Sequence, residues 1–178
     1  MIKTRLIPFA ALLIAQSALA QWNPNNTVNN PVATAAQRAS DASVSGVVSS
    51  LDGTGGAFVA WIDSRNSGST GNDIYIMRIK ADGTLAGGFT PGGTAVCLAE
   101  GSQSNLTMTP DGQNGVVLVW QDPRNTSTNS NDIYAQRINS DGDILWTNNG
   151  VAVSTQTYSE TTPSVVPVSS LAVAVAWR

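Results

Sequence analysis

The residues of this chain that could do chemistry are aspartates and arginines set beside tryptophans and tyrosines. Trp61-Ile-Asp63-Ser-Arg65-Asn66 and Trp120-Gln-Asp122-Pro-Arg124-Asn125 each place a carboxylate two residues after an indole and two before a guanidinium. Asp73, Tyr75 and Arg78 recur further on as Asp132, Tyr134 and Arg137. Acids in pairs suit glycoside hydrolysis, which needs two carboxyl groups about 5–10 Å apart, one of them holding its proton. Asp- and Asn-rich loops suit calcium, and exposed indoles suit sugar platforms. Other chemistries are excluded by absence. The chain has no His, hence no Ser-His-Asp or Cys-His nucleophile and no imidazole ligand. Its single Cys, Cys97, allows neither an internal disulfide nor a cysteine metal cluster.

The same residues take on another meaning once internal repeats are laid over them. The two Trp-x-Asp-x-Arg-Asn runs are 59 residues apart, and so are Asn72–Gly83 and Asn131–Gly142, which agree at eight of twelve positions. Val96 matches Val153 at a spacing of 57, because the second unit lacks two residues of the Gly87–Gly93 loop, and Phe89 stands where Trp146 does. A third unit begins near Pro163 and reaches Trp177, 57 residues beyond Trp120. Eight of the ten aspartates fall into matched pairs: Asp52, Asp63, Asp73 and Asp82 with Asp111, Asp122, Asp132 and Asp141.

A residue repeated in every unit serves the unit, whereas a catalytic site draws different residues from different units. Trp61, Asp63, Arg65, Asp73, Tyr75 and Arg78, with Trp120, Asp122, Arg124, Asp132, Tyr134 and Arg137, are therefore expected to be a structural motif. No catalytic, cofactor-binding or metal residue is assigned. Asp63 and Arg65, at i and i+2 on a strand end, share a face and can pair. Trp61, Trp120 and Trp177 are expected to pack between units. Asp41, Glu100, Asp143 and Glu160 have no repeat partner and are scattered in loops. Asn139-Ser-Asp141-Gly-Asp143 has its Gly misplaced for a calcium loop.

Strands must position these residues. Ala57–Ile62 and Val116–Gln121 are short runs apolar on both faces, as in a strand buried on both sides. Asp73–Lys80 and Asp132–Asn139 read as the next strand, Thr94–Leu98 and Val151–Ser154 as another. Ser43–Leu51 and Asn105–Thr109 precede them. Leu51-Asp-Gly and Pro110-Asp-Gly read as hairpin turns in which Asp-Gly supplies φ > 0. No stretch of the mature chain has helical spacing. Four short antiparallel strands per unit of about 58 residues predict an all-β fold of propeller-like blades, two complete and a third truncated. A stacked pair of β-sandwich sheets is the competing architecture.

Residues 1–20 stand apart from this pattern. Lys3 and Arg5 precede an apolar stretch from Leu6 to Ala15, and Ala18-Leu19-Ala20 supplies a small-residue cleavage site. The apolar core is half the ~20 residues needed to span a bilayer, so a cleaved secretory signal is expected, with no membrane span afterwards. Residues 21–42 form an N-terminal segment with a possible strand of a preceding blade, 43–100 the first unit, 101–157 the second and 158–178 the truncated third. Charged residues make up only 12% of the chain and the net charge is −3, which excludes a basic nucleic-acid binder.

The run of an Asp-Gly turn, Val-Ala-Trp, Asp-x-Arg, Asp-Ile-Tyr and a closing Asp-Gly resembles the blades of TolB-type β-propellers. Trp120–Asn125, Asp132–Arg137 and Trp146–Val151 are more similar still to a longer-period repeat of secreted bacterial surface proteins. The resemblance spans about Val44 to Trp177. It implies an exported, propeller-like, mostly non-catalytic protein with a scaffold role or a protein or glycan as partner. Four such units need roughly 230 residues to close a propeller. The chain ends inside a motif, so it is expected to be a fragment whose other partners are the remaining blades. The alternative is the N-terminal part of a carbohydrate-active enzyme with its acids in those blades. N-terminal sequencing of exported material should begin at Gln21-Trp-Asn; recovery of intact Met1 from membranes would favour an anchor instead.

Overall fold

The computed structural model describes residues 43–125, 130–170 and 172–178; the expected signal peptide, residues 21–42 and loop positions 126–129 lie outside the described residues. The described residues form ten strands and no helix. β1 (Val44–Leu51), β2 (Ala57–Asp63), β3 (Asp73–Ile79) and β4 (Thr94–Cys97) make one antiparallel sheet in chain order. β5 (Ser104–Pro110), β6 (Val116–Asp122), β7 (Asp132–Ile138) and β8 (Val151–Ser154) make a second, and β9 (Ser164–Ser169) pairs with β10 (Ala172–Ala176) in a third. The protein is all-β, with two four-stranded antiparallel sheets of the same topology.

The registers agree as well as the order. Trp61 lies opposite Tyr75 and Asp63 opposite Asp73, just as Trp120 lies opposite Tyr134 and Asp122 opposite Asp132. Each first strand carries a bulge at the matching place, between Ser45 and Val48 and between Ser104 and Thr107.

The unbroken apolar run of β6 follows from burial on both faces. Val116, Leu118 and Trp120 join the core formed with Phe58, Ala60 and Ile76 of the first sheet. Val117 and Val119 point the other way and pack with Val165, Val173 and Val175 of the third. Each such side chain contributes about 1.5–3 kcal/mol when fully buried. Successive sheets also touch through their first strands, β1 beside β5 and β5 beside β9. β1 itself is the wet strand of its sheet, with Val47 60% and Leu51 77% exposed.

The Asp-Gly turns work differently from the expectation. Gly53 and Gly112 do adopt positive φ, +76° and +74°, but Asp52 and Asp111 do not. The connections span Asp52–Gly56 and Asp111–Gly115, closed by the Asp52 amide donating to the Gly56 carbonyl (3.1 Å) and Asp111 to Gly115 (3.0 Å). These loops are too long for the two-residue turn, and the aspartate is there for its carboxylate.

Gly93 and Gly150 are where the chain must come closest to the indoles. Both have positive φ, +107° and +92°, and a Cβ would stand 2.7 Å from a Trp61 ring carbon and 2.5 Å from a Trp120 one. Gly150→Ala should destabilise by about 2–4 kcal/mol through backbone strain plus overpacking. Gly68→Ala, with open space around it, should stay within about 0.5 kcal/mol. Urea melts of the two variants check this; equal midpoints would contradict it.

Candidate functional site

The repeated polar residues assemble into three clamps in each four-stranded sheet, each built on a buried carboxylate. The first sits where β2 and β6 end. Asp63 and Asp122 are both 0% exposed, and an ionised carboxylate so sealed needs donors on every side. The Trp61 indole donates to Asp63 Oδ2 at 3.0 Å, the Arg65 amide to Oδ1 at 2.9 Å and Arg65 Nη2 to Oδ2 at 2.6 Å. Around Asp122 the Trp120 indole donates at 2.8 Å, the Arg124 amide at 3.0 Å, and Arg124 Nε and Nη2 at 2.9 and 2.6 Å.

Each guanidinium then reaches onward. Arg65 Nη2 donates to the Gly92 carbonyl and Arg124 Nη2 to the Asn149 carbonyl, both at 2.7 Å. Both guanidinium carbons lie 3.8 Å from a ring centre, Tyr75 in one case and Tyr134 in the other. The clamp ties the end of the second strand to the third strand and to the loop leading into the fourth.

The second clamp lies beside the first. Asn66 Nδ2 donates to Asp73 Oδ2 at 2.8 Å and to the Tyr75 hydroxyl at 3.0 Å. Asn125 does the same for Asp132 (2.8 Å) and Tyr134 (3.2 Å). These asparagines close the Trp-x-Asp-x-Arg-Asn motif yet are missing from the expected set; their recurrence at 59 residues was the available signal.

The third clamp is at the opposite end of the sheet. Asp52 Oδ1 accepts the amides of Thr54 and Gly56, both at 2.8 Å, while Oδ2 accepts Arg78 Nε at 2.9 Å. Asp111 takes Gln113, Gly115 and Arg137 Nε at 2.7, 2.8 and 2.7 Å. Arg78 also crosses to the second sheet, Nη1 donating to the Ser140 carbonyl at 3.1 Å.

All twelve expected motif residues therefore meet partners inside their own sheet, at its two ends. Asp63 and Asp73 are the nearest approach to a glycosidase pair, being direct cross-strand neighbours. Neither has any exposed surface, so neither reaches a glycosidic bond as the sheet stands. Burial, joined by the like charge of Asp63, raises the Asp73 carboxyl above its ordinary value despite bonds from Asn66 and Thr70. Asp52, Asp63 and Asp111 go the other way. Burial opposes their ionisation, but the hydrogen bonds just described outweigh it and hold each below its ordinary value.

One expectation needs correction. Trp61 and Trp120 are buried, but Trp177 is 40% exposed, because it lies just past β10, whose outer edge pairs with no strand among the described residues. Its indole donates to Glu160 Oε1 at 3.1 Å. Glu160, an unrepeated acid, does lie in a loop, is 5% exposed and stands where Gln103 does, each amide donating to the preceding unit's Asn131 or Asn72 carbonyl. Cys97 is buried against the second sheet's clamp, accepting Arg124 Nη2 at 3.4 Å. Burial pushes its thiol up to about 12, which keeps it protonated and unreactive.

The Ser64–Gly71 loop folds on itself, the Asn66 carbonyl accepting the Ser69 and Thr70 amides at 2.8 and 3.0 Å. Ser67, Gly68 and Ser69 are left exposed. Compared with known proteins, the chain matches no family model, no curated protein and no solved structure.

Removing either first-clamp carboxylate strands a guanidinium that is 15% or 19% exposed. Asp63→Ala and Asp122→Ala should each cost about 3 kcal/mol, near the low end for a broken buried pair, or about 6–12 °C in Tm. Equal losses in calorimetry fit a repeated structural role; a loss confined to one does not. Acid should also unfold the protein. The lowered carboxyls of Asp52, Asp63 and Asp111 stabilise it above about pH 4 and lose that contribution as pH falls through their folded values. Asp73, raised, contributes with the opposite sign. The lowered carboxyls outnumber the raised one, so the melting temperature should fall as pH drops below about 4, and Asp52→Asn should flatten that fall.

Proposed function

We propose that this chain is an exported, non-catalytic repeat protein whose sheets are arranged like propeller blades and which serves as a scaffold or as a binding surface for a protein or glycan. The observation that carries this reading is the doubled clamp: the same carboxylates, guanidiniums and rings satisfy one another in both sheets. A reaction centre leaves its acid and base open to substrate. Here they are spent on holding strand ends.

Several features support blades in particular. Both sheets run in chain order, their second and third strands are buried on both faces, and they touch through successive first strands. Sheets joined at that edge fan outward from it, which is how blades surround an axis. The resemblance to secreted bacterial surface repeats and the leader at residues 1–20 support export. Further blades on the same polypeptide would complete the ring, and the short polar loop with Ser67, Gly68 and Ser69 at its tip is the surface offered to a glycan or protein.

The test is turnover. Incubated with a panel of polysaccharides, the exported protein should release no reducing ends above buffer, whether or not it is retained on them. Hydrolysis abolished by Asp122→Asn but not by Asp63→Asn would overturn the reading.

A further inference from the structure

The two junctions between sheets are built alike but only one is filled. In the first, the turn after β7 seats against the first sheet. Arg78 Nη1 donates to the Ser140 carbonyl at 3.1 Å. Gly88 lies so close to the Asp141 carbonyl that a methyl group there would overlap the oxygen. Phe89 beneath the turn is 6% exposed and meets Phe58 edge to face at 6.1 Å.

In the second junction the matching place is a groove of about 160 Å³ lined by Asp111, Val117, Arg137, Trp146, Ala172 and Val173. Trp146, at the Phe89 position, is 36% exposed. Arg137 keeps its bonds to Asp111 and Gln113, but its Nη1 finds no carbonyl like that of Ser140 among the described residues. Beside the groove, β10 pairs on one edge only among the described residues, with β9, whereas β2 and β6 are each paired on both. Its sequence, Ala-Val-Ala-Val-Ala, carries no charge to discourage a further strand.

The third sheet also departs from the other two in one telling place. β9 and β10 keep the register of β5 and β6: Pro167 lies opposite Val173 as Pro110 lies opposite Val116, and Val166 opposite Ala174 as Thr109 opposite Val117. In that alignment Val168 matches Asp52 and Asp111 in sequence, but here the pairing runs on to Ser169 opposite Ala172, with a register shift that leaves Val168 in a bulge of β9. Val168 is 66% exposed, and Val166 on the same strand is 53% exposed. In the complete sheets the aspartate receives the arginine of the third strand, Arg78 opposite Phe58 and Arg137 opposite Val117. A third strand laid on β10 with an arginine there would meet valine.

We propose that β10 and the Trp146 groove receive a third strand and its Asp-Gly turn, which extend the β9–β10 sheet on the same polypeptide as β3 and β7 extend the other two, and that this strand carries an apolar residue where Arg78 and Arg137 stand. This rests on the blade reading above and adds to it the seat and the chemistry of its occupant. The turn supplies a carbonyl to Arg137 and covers Trp146. The strand completes the backbone pairing of β10 and covers Val166 and Val168.

The probe is a synthetic peptide with the sequence of residues 131–145, which is this chain's own third strand and turn, and the same peptide with Arg137→Leu. Both are titrated into the whole protein, with hydrogen exchange of the 172–176 amides as the structural readout. The Leu peptide should bind at least ten-fold tighter than the Arg peptide and slow exchange in β10. Val168→Asp in the protein, a change at an exposed position, should reverse that preference by restoring a carboxylate. Absence of binding by both peptides, or a preference that Val168→Asp leaves unchanged, would overturn the proposal. So would a dimer in sedimentation whose β10 amides are already protected, since a second copy would then own the edge. None of these outcomes touches the non-catalytic reading, which stands or falls on polysaccharide turnover.

Discussion

A carboxylate sealed from water at the end of a strand is the constraint from which most of this molecule follows. Removing such an ion from water costs several kcal/mol even after relaxation, so its surroundings are not free to vary. At Asp63 and Asp122 the donors are an indole two residues back, a backbone amide two residues on, and the guanidinium of that same residue. The i−2 spacing works because alternate strand residues share a face. The guanidinium then sits over the ring of a tyrosine, the cross-strand neighbour of the tryptophan. The indole in turn needs glycine behind it, at Gly93 and Gly150. A single buried charge thus accounts for the Trp, Arg, Tyr and Gly of each unit.

The places where the two sheets differ are those that face different neighbours. Met77 is buried apolar filling, but its counterpart Gln136 is buried with its amide donating to the Thr147 carbonyl at 2.7 Å and its oxygen accepting the Trp146 amide at 3.0 Å. That pair of bonds holds a loop from which Gly87 and Gly88 are missing. Cys97 touches the next sheet's aspartate–arginine pair, while Ser154 at the same position bonds Glu160. Within a sheet the clamps are fixed; between sheets the contacts are adapted.

Much of this was legible in the sequence, for physical reasons. Apolar runs without a polar alternate, such as Val116–Trp120, announce strands covered on both sides, and every strand of the two complete sheets lies where the pattern puts it to within a residue or so. The repeat picked out residues that meet one another in both sheets, because matched spacing reflects matched surroundings. What stayed hidden depended on three dimensions. Asp-Gly reads as a turn dipeptide, and only the folded loop shows the carboxylate collecting amides. Asn66 and Asn125 read as loop residues until their amides are seen between a carboxylate and a phenol. Glu160 gave no local sign of burial; it is held by Ser154 of β8, the Asn131 carbonyl and the Trp177 indole.

The exchange rates of the tryptophan indole protons, read by NMR in the native state, test the clamp most directly. The account predicts that the Trp61 and Trp120 Nε1–H protons, each bonded to a fully buried carboxylate, exchange as slowly as the central amides of β2 and β6 and at closely similar rates. Trp146, with no such bond and its ring partly in water, should exchange fast. Rapid exchange at either Trp61 or Trp120 would mean that the buried carboxylate is not what holds these sheets together.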